Sequence, residues 1–155
     1  MPIVDVKSIS HVALKTRNVG QQTHFYTQMV GLGETERDNA DQVYLRCNPD
    51  HHGLAFAKTG TIKMHHFAFE LKDFSYLARQ ADHLMHNGYV LLYGPGRHGP
   101  GENHFEYFRD PESNLIEFMS NIQQIWDDAT YEPKVWDSQK RWVNLWGPES
   151  PADFV

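Results

Sequence analysis

Two stretches of alternating polarity divide the sequence, ISHVALK at 9–15 and MHHFAFEL at 64–71. In the first, Val12 and Leu14 oppose His11, Ala13 and Lys15. In the second, Phe67, Phe69 and Leu71 oppose His66, Ala68 and Glu70, the period of two that marks a strand with unlike faces. A helical pattern follows each. Phe74, Leu77, Ala78, Ala81, Leu84 and Met85 form an apolar face ended by Asn87-Gly88, while the earlier helix rests on Phe25, Tyr26, Met29 and Val30 before Gly31 and Gly33. Three short strand-like runs come after each helix, at about 33–37, 41–47 and 53–58 and again at 89–94, 104–109 and 114–120, divided by Asn, Asp, Gly and Pro clusters.

The layout predicts an α+β fold made of two βαβββ modules, at about 8–60 and 61–120, whose mixed sheet curls into a cup with the helices outside. Residues 1–120 then form a single domain. Residues 121–155 continue neither module, and Trp126, Trp136, Trp142 and Trp146 stand there among prolines and polar residues. They are expected to form an ordered strap that covers apolar surface on this chain or on a partner subunit.

A length of 155 residues and 40% apolar content suit one folded domain. The net charge of -6 argues against a nucleic-acid partner. The lone Cys47 excludes an intrachain disulfide framework, and no apolar run is long enough to span a membrane. A soluble cytoplasmic protein is expected. Histidine is the distinctive residue, with ten along the chain.

His11 and His66 open the two modules at equivalent places, 55 residues apart, each followed by an apolar, small, apolar triplet. Glu117 lies within the apolar run NLIEF (114–118), where burial without a cation would be costly. Two imidazoles and a carboxylate are the set used by non-haem Fe(II) oxygenases, which leaves positions open on the metal. Aligning GLAF (53–56) with NLIE (114–117) puts Phe56 where the first module would need its own acid, so a symmetric four-ligand site is disfavoured. GPGRHG (94–99) matches G-x-G-x-x-G, but Pro100-Gly101 follows in place of a helix, so it reads as a loop presenting His98.

HVAL (11–14), DHHGLAF (50–56), HHFAFE (65–70) and GRHGPGENHFEYFRDPESNLIEF (96–118) together resemble the vicinal oxygen chelate superfamily, and within it the single-domain form of the type I extradiol catechol dioxygenases. The last stretch is the most specific, running from Arg97-His98-Gly99 through Tyr107 to Pro111 and on to Glu117. Ser113 stands where the family commonly has Gly, and Asn114 is expected to take the left-handed turn position instead. The resemblance implies a metal held by His11, His66 and Glu117, with His52, His98 and Tyr107 as catalytic residues around it. The metal would be Fe(II), with Mn(II) as the alternative. The implied reaction is ring cleavage of a catechol by O2, in which His98 and Tyr107 share the substrate proton and His52 supplies one as the O–O bond breaks. His51 and His65 are expected outside the site, the former solvated and the latter outward or helix-facing.

The rivals are another metal enzyme of this fold, of the glyoxalase, epimerase or fosfomycin-thiol transferase type, and a metal-free drug-sequestering binder. The third would call for cations around an anionic substrate. With no Arg cluster evident, the expected substrate is a catechol with an apolar substituent, although Arg46, Arg97 and Arg109 are within possible reach. A homo-oligomer is expected.

Overall fold

The computed structural model describes residues 5–39, 41–137, 140–151 and 154. The first module contains β1 (Val6–Thr16), α1 (Val19–Phe25) continued by a π turn over Tyr26–Val30, β2 (Gly33–Asp38), β3 (Gln42–Arg46) and β4 (Leu54–Lys58). The second contains β5 (Lys63–Leu71), α2 (Phe74–His86), β6 (Tyr93–Arg97), β7 (His104–Arg109) and β8 (Leu115–Ser120), and β9 is Val135–Trp136. They form one mixed sheet in the order β6-β7-β8-β5-β1-β4-β3-β2-β9. The opening strands of the two modules, β1 and β5, pair antiparallel at its centre, and each lies parallel to the last strand of its own module. The α+β duplication thus has the arrangement expected from the two alternating runs.

Register corrects one alignment. Ala68 lies beside Glu117 and Tyr107 faces Glu117, while in the first module Ala13 lies beside Ala55 and Tyr44 faces Ala55. The counterpart of Glu117 is therefore Ala55, not Phe56. A slip of one residue exchanges the two faces of a strand, and Phe56 is in fact buried on the helix side with Val19, Val43 and Leu45. Ala55 cannot ligate either, so the count of three ligands survives the correction.

Asn18 caps α1 by accepting from Gln21 N at 3.0 Å, and Asp73 caps α2 by accepting from Ser75 N and Tyr76 N. The π turn widens the first helix after Phe25, leaving Phe25, Met29 and Val30 exposed, so only Tyr26 of the expected face packs inward, against Phe56. In α2, Leu77 and Leu84 are the buried contacts and Phe74 and Met85 lie at the margin.

The strand expected at 89–94 begins instead at Tyr93 and runs through Gly-Pro-Gly. It lies at the sheet edge, where Pro95 needs no ladder donor. Gly94 is required there, since a Cβ would stand 2.7 Å from Phe105 O and its φ is +98°.

Beyond β8 the chain closes the cup. Gln123 accepts from His51 N and donates to Gly101 O, tying a loop of each module to the same residue. Trp142 is buried, and a Cβ on Gly99 would stand 2.6 Å from the Trp136 ring. Trp126 and Trp146 differ from the expectation, at 80% and 53% exposed. No helix among the described residues is long and apolar enough to cross a membrane.

Two residues test this packing. The left-handed position falls on Ser113 itself, at φ 69°, rather than on Asn114, because Asp110 Oδ1 accepts from both Glu112 N and Asn114 N and fixes the turn around it. Ser113→Gly should raise stability by about 1 kcal/mol, read as a higher Tm. Glu106 is fully buried without a hydrogen-bond partner, and burial pushes its carboxyl up to about 8. The fold holds the protonated form, so this group's stability is full below the unfolded value near 4.5 and is lost as pH rises towards 8. Glu106→Gln should match the parent near pH 4.5 and exceed it at pH 8 by on the order of 3 kcal/mol in denaturant titrations.

Candidate metal centre

His11 comes from β1, His66 from β5 and Glu117 from β8. Ala68 faces His11 across the central pair and Ala13 faces His66, so each imidazole stands opposite a side chain too small to fill the space between them. His11 Nε2 lies 3.2 Å from His66 Nε2 and 3.2 Å from Glu117 Oε2, and His66 Nε2 lies 3.0 Å from the same oxygen. Ligands bound at about 2.1 Å and at right angles stand roughly 3 Å apart. The three atoms therefore form a nearly equilateral triangle of the size of one octahedral face, a set of three ligands that leaves other positions of a divalent ion to be filled. The residues fit a divalent ion.

Hydrogen bonds fix which imidazole nitrogen is free. Phe154 O can only accept, so His65 Nε2, 2.7 Å away, carries a proton and His65 Nδ1 becomes an acceptor. His66 Nδ1, 2.7 Å from it, is then the donor, which leaves the lone pair on His66 Nε2. Ser10 Oγ, 3.4 Å from His11 Nδ1, can accept its proton in the same tautomer. Burial pushes the His66 imidazole down to about 4. Burial alone would raise the Glu117 carboxyl, but charge on His11 and the surrounding His11, His66 and His98 imidazoles bring it well below the usual carboxylate range. Neutral imidazole and ionised carboxylate are the ligating forms.

Tyr107 Oη lies 2.8 Å from Glu117 Oε2 and 3.1 Å from His98 Nε2, and Asn103 Nδ2 donates to Glu117 Oε1 at 3.2 Å. His98 Nδ1 donates to Val143 O at 2.5 Å and its ring stacks on Phe105, so His98 Nε2 faces Tyr107 as an acceptor. Burial, then the negative Glu117, drives the Tyr107 hydroxyl well above its usual value. His52 stands on the other side, its ring centroid 4.5 Å from that of His11. All six residues singled out from the sequence thus come together.

His51 does not sit in solvent as expected. It is fully buried under the strap, with Nε2 3.2 Å from Glu36 Oε2 and Nδ1 2.9 Å from His52 Nδ1. Burial would raise the Glu36 carboxyl, but bonds from His51, Tyr131 and Trp136 bring it below its ordinary value. Ionised Glu36 draws the His51 proton to Nε2. His52 then donates from Nδ1 to His51 Nδ1 and keeps a lone pair on Nε2. Burial, with His11 and His51 nearby, lowers the His52 imidazole well below 6.5. His65, expected outward or helix-facing, is half-buried and orients a ligand through the Nδ1 contact.

Glu36, His51, His65 and Asn103 were not legible as site residues. Glu36 lies in the polar run GETERD, where nothing marks one carboxylate as buried. The histidine pairs 51–52 and 65–66 were the available signal, because adjacent rings in irregular strand segments can meet on one side.

The model of the Glyoxalase/Bleomycin resistance protein/Dioxygenase superfamily matches residues 8–118. The chain belongs to this superfamily. It is 31% identical to metapyrocatechase 2 of Cupriavidus necator over 96% of its own length and 47% of that protein's. It is 35% identical to a manganese-dependent 2,3-dihydroxybiphenyl 1,2-dioxygenase of Geobacillus genomosp. 3, over 56% of this chain and 29% of that one. Among solved structures, a Mn(II)-bound glyoxalase from Novosphingobium aromaticivorans superposes with a TM-score of 0.88 at 28% identity, over 94% of this chain and 48% of that one. The chain spans about half the length, or less, of these relatives.

Anaerobic titration with Fe(II) or Mn(II), followed by calorimetry and metal analysis, should give one ion per chain. Ala at His11, His66 or Glu117 should abolish stoichiometric binding, whereas His65→Phe, which removes only the partner of His66 Nδ1, should weaken it by about 10- to 100-fold. Full metal retention in all three Ala variants would exclude the cluster.

Proposed function

We propose that this chain is the catalytic unit of an extradiol dioxygenase, cleaving the ring of a catechol beside its two hydroxyls and incorporating both atoms of O2. The observation that carries the reading is the triangle of His11, His66 and Glu117, flanked by Tyr107, His98 and His52. His11, His66 and Glu117 would hold Fe(II), with Mn(II) as the alternative. Bound there, the ion would lower the pKa of both chelated hydroxyls and bring the electron-rich diolate and O2 together.

Tyr107 and His98 are the residues to receive the diol. The Tyr107 hydroxyl has one proton and two acceptors, Glu117 Oε2 and His98 Nε2. A substrate hydroxyl entering beside it can pass a proton to His98 while Tyr107 donates to the diolate. His52 has the complementary task. With Nδ1–H engaged by His51, its Nε2 is the only site at which it can take up and return a proton, so it serves the oxygen side of the reaction. Glu36 and His51 act through it as positioning residues.

Ala55 in the position of a fourth ligand argues against glyoxalase-type chemistry. A metal-free binder would leave a buried carboxylate between two imidazoles without a purpose. The reading also assigns residues 121–155 to the same unit as a strap, since Val143 O and Phe154 O orient His98 and His65.

Loading with Fe(II) without air, then adding air and a panel of catechols, should yield a yellow ring-opened semialdehyde. His52→Phe should keep its metal and bind catechol anaerobically while kcat falls about 100-fold or more. Loss of metal in His52→Phe, with retention in His11→Ala, would show that the two histidines had been exchanged.

A further inference from the structure

Register places three cations beside the metal centre. On β7, Arg109 lies two residues beyond Tyr107 and so projects to the same face, about 7 Å further along the strand. Its partner on β8 is Leu115, two residues before Glu117. On β1, Lys15 follows Ala13, the neighbour of His66, and it faces Lys63 across the central pair. Lys15, Lys63, His65, Arg109, Leu115 and Phe154 line a common cavity of about 250 Å³. The Phe154 ring lies between it and the centre, packing 4.8 Å from Tyr107 and 5.3 Å from His65 between centroids.

These cations lack the partners found elsewhere. Arg46 pairs with Asp128 and Arg97 with Glu102, which removes both from the candidates for substrate contact. Among the described residues no carboxylate pairs with Lys15, Lys63 or Arg109, and Arg109 donates only to Ser113 O. Partial burial lowers Lys15, and the neighbouring charges of Lys63 and Arg109 lower it further. In a chain of net charge -6, three positive groups gathered in one cavity repel one another with no anion to offset the cost.

We infer that this cavity receives a carboxylate carried on the substrate, so that the preferred substrate is a catechol with an anionic side chain. A diol seated at Glu117 and Tyr107 with its ring directed along β7 and β8 would carry a short side chain's carboxylate past Phe154 towards Arg109 and Lys63. The expected apolar substituent is replaced by a charged one. The inference rests on the dioxygenase reading, and its test separates the two.

With Fe(II)-loaded protein, kcat/KM is compared for 3,4-dihydroxyphenylacetate and for its uncharged methyl ester. The acid should be favoured by about 10-fold or more, mostly through KM. Lys63→Gln and Arg109→Gln should each reduce the preference for the acid over the ester. Independently of turnover, phenylacetate should raise the Tm of the metal-free protein, phenylacetamide should not, and the Lys15→Gln/Lys63→Gln variant should lose the shift. Cleavage of both catechols at equal kcat/KM would overturn the inference and leave the dioxygenase reading standing. Cleavage of neither would overturn that reading, and with it the substrate inferred here, even if phenylacetate still bound.

Discussion

A carboxylate sealed from water is the constraint on which the arrangement depends. Glu117 is 1% exposed in the middle of an apolar strand, and an isolated charge there would cost several kcal/mol or more. Four side chains face its two oxygens: Tyr107 donates to Oε2 and Asn103 to Oε1, while the His11 and His66 imidazoles stand at Oε2 where a cation would offset the charge. They come from three other strands and a loop, so the charge is stable only when both modules are assembled. The same convergence brings one atom each of His11, His66 and Glu117 to the spacing that ligands of a single divalent ion would need.

Duplication supplies the symmetry and small substitutions break it. His11 and His66 are equivalent, as are Tyr44 and Tyr107, but Glu117 has Ala55 for its counterpart. One module therefore contributes an acid and a tyrosine beside it. The other contributes the His51-His52 loop, with Tyr44 packed against His52. The asymmetry makes the two sides of the site unlike: an acid and a tyrosine on one, a pair of histidines on the other.

The strap is the second layer of the site. Three carbonyl or carboxylate groups positioned by it settle the tautomers of five histidines: Val143 O for His98, Phe154 O for His65 and hence His66, and Glu36, held by Tyr131 and Trp136, for His51 and hence His52. Its aromatic content follows from this position. Trp136 and Trp142 pack against the His98 loop, while the Trp126 side chain remains exposed.

The sequence by itself determined the elements with strong local signals. Alternation at 9–15 and 64–71 set the two opening strands, the periodicity of 74–85 set α2, and the duplication implied the order of elements. His11, His66 and Glu117 could be paired because equivalent places in two modules repeat a chemical type. Local pattern could not determine which side of an ambiguous run faces inward, since a single-residue shift exchanges the faces at no cost in composition. Phe56 was therefore taken for the counterpart of Glu117, and the π turn turned Phe25 and Met29 outward. Nor could it reveal Glu36, His51 or Asn103, whose roles arise only when residues 121–125 tie the two loops together. The gathering of Lys15, Lys63 and Arg109 likewise depended on pairing between strands far apart in the chain. Charge is written residue by residue, but which charges meet is decided by the register of the sheet.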